Sequence, residues 1–178
     1  MAVAFASAFD GMRLIITDVS VLFDLFYLEV LSELFDLDYE ICVTAFVYNE
    51  IVHQEQILVF EQFKHADKLI VLEVLAEELE AILAFKTIRS LRSVPDKTIL
   101  WKAIQLQCPV LTCDEKLRKE ALDHGIEVHG SIWVLSEMNR LGLQSNQKTI
   151  KLLEALKAIN SRLPFKTIDA FIHDLRRK

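Results

Sequence analysis

Leu14-Ile15-Ile16-Thr17-Asp18 is a short apolar run that ends on two polar residues. It reads as a buried parallel strand whose carboxyl end carries something polar. The pattern repeats along the chain. Val19 to Phe35 has helical periodicity, Ile41-Cys42-Val43 is a second strand, and Thr44 caps a helix that runs through Glu50 and Ile51 toward Phe63. Leu69-Ile70-Val71-Leu72 is a third strand, followed by an amphipathic helix from Leu75 to Leu91 that turns basic at Lys86, Arg89 and Arg92. Ser93 opens a helix reaching Leu106, and Pro109-Val110-Leu111-Thr112 is a fourth strand. Glu115 to His124 is helical, Gly125 stops it, and Ile126-Glu127-Val128 is a fifth strand. Strands alternating with helices predict an α/β fold in three layers, with a central parallel sheet of four to five strands covered on both faces.

After Gly130 the strand signal ends. Helices are predicted from Ile132 to Leu141, stopped by Gly142, from Lys148 to Ile159, and, past Pro164, from Thr167 to Leu175. The expected organisation is an α/β domain over residues 1–140 and a helical extension over 141–178, packed on that domain or on a partner. No internal repeat, low-complexity segment or Gly/Ser linker interrupts the chain.

The chain has 178 residues, 52% of them hydrophobic, with a mean hydropathy of +0.28. Such a value calls for a search for membrane segments. The most apolar stretch, Val19 to Leu37, contains Asp24, Glu29, Glu33 and Asp36, more charge than a spanning helix tolerates. The excess apolar surface is assigned to a core or an interface, with no membrane contact. Met1 to Phe9 is apolar but has no basic leader or cleavage-site arrangement, so the expected location is the cytoplasm. Cys42, Cys108 and Cys113 form no C-x-x-C pair and read as core thiols, and His124 and His129 lack zinc-site spacing. The net charge of -6 hides an asymmetry: residues 1–85 carry 3 basic and 16 acidic side chains, residues 86–178 carry 17 and 10. Phosphate binding draws on local Lys and Arg, so this division is compatible with a polyanion partner as well as with solvated helix faces.

Four acids stand in recognisable frames: Asp18 after the first strand, Glu50 within a helix, Asp96 in Ser93-Val94-Pro95-Asp96, and Asp114 in Leu111-Thr112-Cys113-Asp114. Ligands of open parallel sheets sit outside the carboxyl ends of the strands, where strand order reverses. Asp18 and Asp114 lie just beyond two such ends, and hard divalent cations favour oxygen ligands. Each acid also has an ordinary explanation. Asp96 has capping-box spacing from Ser93, Asp114 lies at a helix start that favours negative charge, and Glu50 is one acid among many in an acidic half. Asp18, directly after a buried strand, has the least structural use.

The ordered series Ile15-Ile16-Thr17-Asp18-Val19-Ser20-Val21-Leu22, Thr44 to Glu50-Ile51, Ser93-Val94-Pro95-Asp96 and Leu111-Thr112-Cys113-Asp114 resembles a PIN domain. The likeness continues through Gly125 to Ser131 and Leu135, and so covers roughly the first 140 residues. From Ser131 on, with Arg162-Leu163-Pro164, the chain is similar to the helical tail of one prokaryotic branch of that family. The resemblance implies a metal-dependent ribonuclease, with Mg2+ or Mn2+ on Asp18, Glu50, Asp96 and Asp114. Ser20 and Thr112 would hydrogen-bond the acids or a water on the metal. Lys97, Lys116, Arg118 and Lys119 are the expected RNA contacts near this rim, with Arg89 and Arg92 further back; for each, a solvated helix face is the alternative. Cys113 departs from the small or polar residue common there.

Within that resemblance the leading role is the toxin of a type II toxin–antitoxin pair, held by a small antitoxin protein. A homodimer interface would account for the same apolar helices, and a housekeeping RNA-processing nuclease is the other enzymatic role. A haloacid-dehalogenase-like phosphatase would want an acid where this chain has Ser20, and a receiver-like regulator an additional acid pair, neither of which is found. A non-catalytic RNA- or protein-binding scaffold of the same fold is the remaining class.

Overall fold

The protein is described by a computed structural model covering Gly11 and residues 13–177. Met1 to Phe9, read above for a leader, and Lys178 lie outside the described residues. Five strands, β1 (Leu14–Thr17), β2 (Glu40–Thr44), β3 (Leu69–Leu72), β4 (Val110–Leu111) and β5 (Val128–His129), form one parallel sheet in the order β3-β2-β1-β4-β5. β1 is central, and all four of its residues are buried. A strand covered on both faces favours the continuous Leu-Ile-Ile run over an alternating pattern.

Among the described residues ten helices surround the sheet: α1 (Val19–Tyr27), α2 (Leu31–Leu34), α3 (Ala45–Tyr48), α4 (Gln54–His65), α5 (Ala76–Ala84), α6 (Val94–Leu106), α7 (Glu115–Asp123), α8 (Ser131–Arg140), α9 (Asn146–Ile159) and α10 (Phe165–Arg177). α6 packs across β1, β2 and β4, with α3, α5 and α7 beside it. α1, α2, α8 and α9 form the second helical layer, which α4 joins through Phe60 against Phe23 and Phe26. The result is the three-layer α/β/α arrangement. Among the described residues no helix is long and apolar enough to cross a membrane.

Three predicted helices are shorter than their periodicity suggests. The run from Val19 is interrupted after Tyr27, where Glu29 adopts φ 58° and the chain turns into the brief α2. The helix expected from Thr44 to Phe63 breaks after Tyr48, so Glu50 lies in a turn, not within a helix. There Glu50 and Ile51 N–H groups donate to the Val47 and Tyr48 carbonyls, and Ile51 enters the core. The helix expected to reach Leu91 ends at Ala84. Beyond it, the N–H groups of Ile88 and Arg89 donate to the two oxygens of buried Glu120, at 2.6 Å each. Helical periodicity does not report these alternatives, in which a tight turn at Glu50 and a distant carboxylate at Ile88 and Arg89 satisfy the same backbone groups.

α9 packs on α1, α8 and α10. Its Leu153 and Leu156 are fully buried, as is Ile168 of α10, and all three belong to one hydrophobic core with β1. Leu153→Ala should therefore lower the unfolding free energy by about 2–5 kcal/mol, the range for deleting a buried leucine side chain. The loss should appear as one cooperative transition in both near- and far-ultraviolet circular dichroism. A helical signal that melts ahead of the rest would instead identify α9 and α10 as a separate unit.

Candidate functional site

Strand order places the site. From β1 the chain builds outward through β2 to β3, then returns to the other side of β1 as β4. The crevice of an open sheet lies at this reversal, outside the carboxyl ends of β1 and β4. Asp18 follows β1, and its N–H donates to the Leu111 carbonyl of β4 at 2.8 Å. Its side chain, only 7% exposed, accepts hydrogen bonds on Oδ2 from Ser20 Oγ at 2.6 Å and Thr112 Oγ1 at 3.0 Å. Thr112 Oγ1 in turn accepts from the Asp114 N–H at 3.0 Å, and Ser20 Oγ from the Cys113 N–H at 3.3 Å. The acid after β1 and the loop after β4 are thus one network. Among the described residues, Asp18 Oδ1 is left uncommitted.

Asp114 divides its oxygens in the same way. It is the N-cap of α7, and its Oδ1 accepts from the N–H groups of Lys116 at 2.9 Å and Leu117 at 2.8 Å. Capping is therefore real at this position, but it occupies one oxygen and leaves the other. Asp96 sits in the first turn of α6, whose N-cap Ser93 accepts the Asp96 N–H through its side chain at 3.3 Å. Glu50 reaches the rim from the turn after α3.

All four acids line one cavity of about 500 Å3, closed on another side by Asn160, Ser161 and Arg162 between α9 and α10. Burial pushes the Asp96 carboxyl up to about 6, with repulsion from Asp18, Asp114 and, last, Glu50 adding to it. Partial burial also raises Glu50, with a further contribution from Asp18. Among the described residues, none of the ion pairs involves any of the four. Carboxylates that share a cavity and enter no ion pair among the described residues are the donor set of a hard divalent cation. Among the described residues, however, no three Asp, Glu, His or Cys side chains stand close enough to enclose one ion. The four carboxylates share the lining of the cavity without forming such a cluster.

The basic residues expected to bind RNA do not line this cavity. Lys116 Nζ donates to the Ser90 carbonyl at 2.8 Å, Lys97 Nζ reaches the Leu83 carbonyl at 3.5 Å, and Lys119 pairs with Glu115 at 2.9 Å. The Arg118 guanidinium donates to the carbonyls of Thr112, His129 and Val128 and lies in the neighbouring cleft. Arg162 does line the acid cavity. So does Asp24, which in the linear sequence stands out only as a charge within an apolar stretch. Its buried carboxylate accepts from Ser131 Oγ at 2.6 Å and from Asn160 Nδ2 at 3.0 and 3.1 Å, tying α1 to α8 and to the end of α9. One available signal was its helical spacing: Asp24 is one turn beyond Ser20 on α1, so both point the same way.

A raised carboxyl pKa means that folding favours the protonated form. Asp96 has an ordinary value of 3.8, so its favourable contribution is complete below that value and is lost as pH rises through about 6. In chelator, Asp96→Asn should melt higher than the parent at about pH 8, and the gap should close on descent to about pH 4. A gap independent of pH would show that burial and crowding of the Asp96 carboxylate are not what destabilises the metal-free protein.

The family model described as PIN domain matches residues 14–177, nearly the whole chain and all four acids. No curated protein matches the chain. The matched span contains the complete parallel sheet and the cavity at its switch point. On this match and this architecture, the chain belongs to the PIN domain family, whose members generally have a nuclease-type function.

Proposed function

We propose that the protein is a divalent-metal-dependent endoribonuclease that hydrolyses RNA phosphodiester bonds at the four-acid cavity, with Mg2+ or Mn2+ as cofactor. One observation carries the reading: Asp18, Glu50, Asp96 and Asp114, distant in sequence, line one cavity without a paired cation among the described residues. Asp18 and Asp114 are assigned as direct or water-mediated ligands through the oxygens that the hydrogen-bond network leaves over. Asp96 and Glu50 orient water or take a second ion. A bound divalent ion would lower the pKa of its water and clamp phosphate oxygens. Ser20 and Thr112 hold the Asp18 carboxylate in one orientation, and therefore act through it. Arg162 meets a substrate phosphate at the rim, while Lys97, Lys116, Arg118 and Lys119 lie further out along the strand's path. In-line attack by water with departure of the 3'-oxygen leaves 5'-phosphate and 3'-hydroxyl ends. Residues 141–178 then serve the site as well as the core, since the α9–α10 connection forms one of its walls.

Asp18→Asn is expected to lower cleavage of single-stranded RNA by at least about 10²–10³-fold, the scale for removing one positioned electrostatic group. Its melting curve should remain cooperative. Wild-type cleavage by this variant under matched metal would end the proposal.

We assign this activity to the toxin of a cytoplasmic toxin–antitoxin pair. Support comes from apolar surface outside the active cavity. Tyr27, Val52 and Leu58 are more than half exposed, and Phe26, Tyr27, Leu31, Val59 and Phe63 line a groove along α1 and α4. Glu29, Ser32 and Glu55 also line the groove, and apolar side chains exposed beside polar ones in this way can be covered by a small antitoxin or by a second copy. Expression alone should arrest growth, and co-expression of the small gene beside its own should relieve the arrest. Normal growth in both cases would favour a housekeeping RNA-processing nuclease; normal growth with no RNA cleavage would favour a scaffold.

A further inference from the structure

A second and larger cavity, about 960 Å3, opens beside the acids and shares Cys113, Asp114 and Arg162 with theirs. Past those residues the lining changes character. His129 of β5 and Trp133 of α8 stack with ring centroids 4.0 Å apart and planes 17° from parallel. Tyr39 packs against Trp133 at 5.9 Å in a T-shaped contact, which holds the pair as a flat wall. Phe171 and Thr167 join the lining from α10, bringing an aromatic ring and a hydroxyl. Arg162 stands where the two cavities meet. Among the described residues its hydrogen bonding is confined to the backbone N–H, which donates to Asn160 Oδ1 at 3.2 Å, and Asn160 is itself fastened to Asp24. Its backbone is thus anchored while its guanidinium remains available.

We propose that this cleft is a nucleobase subsite, which receives a base next to the scissile phosphate and stacks it on the His129–Trp133 wall while Arg162 binds the intervening phosphate. The inference rests on the ribonuclease reading above. A ribose-phosphate strand lying across the acids leaves on one side past Cys113, Asp114 and Arg162, and its next base then meets the aromatic lining. Val128, Ile132, Leu163 and Pro164 complete a mainly apolar lining, in which Arg118, Ser136 and Thr167 are among the polar side chains; flat rings there suit a base, which has two π-faces and a hydrogen-bonding edge. They also select a single strand, because the bases of a duplex are already stacked on one another. Stacking reads no particular sequence, so the cleft would accept any base, with purines favoured by their area.

The test measures binding of a short single-stranded RNA to the full chain by fluorescence anisotropy, with Ca2+ replacing Mg2+. The same RNA is compared with versions lacking the base at one position at a time. One position should matter, with its loss weakening binding about tenfold, as expected for one stacked base. Thr167→Trp fills the cleft from an exposed position of α10, and Ser136→Phe does so from α8. Either variant, provided it melts like the parent, should bind intact RNA as weakly as the parent binds the abasic form, and should bind abasic RNA unchanged. Equal binding of intact and abasic RNA at every position would overturn the proposal, as would filled variants that still distinguish them. A dimer converted to monomer by Thr167→Trp would also overturn it, since a second copy would then be the occupant. If the parent cleaves RNA in Mg2+ yet ignores the missing base, the subsite alone fails. If no RNA is bound at all, the ribonuclease reading fails and the subsite with it.

Discussion

The two hydrogen bonds onto Asp18 Oδ2 hold the site together. They come from Ser20 in α1 and Thr112 after β4, so one carboxylate oxygen joins the ends of the central strand and its later neighbour. Hydrogen bonds to a charged group contribute about 1.5–3 kcal/mol each, enough to hold a nearly buried carboxylate in one orientation. The consequence is a division within the carboxylate: one oxygen is spent on the fold, and among the described residues the other accepts no hydrogen bond. Asp114 repeats the division, with one oxygen spent on the N-terminus of α7. Structural and functional explanations of these acids are therefore compatible, since a carboxylate has two oxygens.

The remaining acids are delivered by segments that irregular contacts shape. Glu120 accepts the backbone N–H groups of Ile88 and Arg89, Arg89 pairs with Asp123, and Lys116 holds the Ser90 carbonyl. Together these fasten the approach to Ser93 and Asp96 onto α7, the helix that Asp114 caps. Arg118 does the same on the other side of that helix by spanning the carbonyls at the ends of β4 and β5. This close approach explains Gly130. A Cβ there would stand 3.0 Å from Arg118 Nη2 and 3.2 Å from the Thr112 carbonyl oxygen, so a side chain would press on the loop that carries Thr112 and Asp114.

Opposed to these attractions are the burial of carboxylates and, after it, their mutual repulsion, which together raise Asp96 and Glu50. Asp18 and Asp114 each hold one oxygen in two hydrogen bonds, while burial is the larger cause of the rise at Asp96 and Glu50. Such a site is stabilised by whatever cation enters it and strained without one. Its outer wall comes from the last third of the chain. Asp24, gripping Ser131 and Asn160, brings the start of α8 and the end of α9 to the acids. The C-terminal helices therefore contribute Arg162 to the acid cavity and Phe171 to the cleft beside it.

Strand and helix alternation, the apolar character of β1, and the frames around Asp18, Asp96 and Asp114 were all legible in the linear order, because each depends on neighbours within a few residues. So was the reversal of the sheet as the place to look, which follows from parallel topology. Tertiary structure alone decided that Glu50 leaves its helix, since the burial of Ile51 outweighs continued helical hydrogen bonding. It likewise decided that the basic segment after Ala84 is a loop held by Glu120, and that Arg118 is occupied by backbone carbonyls. Asp24 and Arg162, separated by most of the chain, become neighbours only through the packing of α9 on α1. Local order determines which acids stand at element ends, because backbone geometry is local; which oxygens remain free, and what charge stands opposite them, depends on contacts that exist only once the chain has closed.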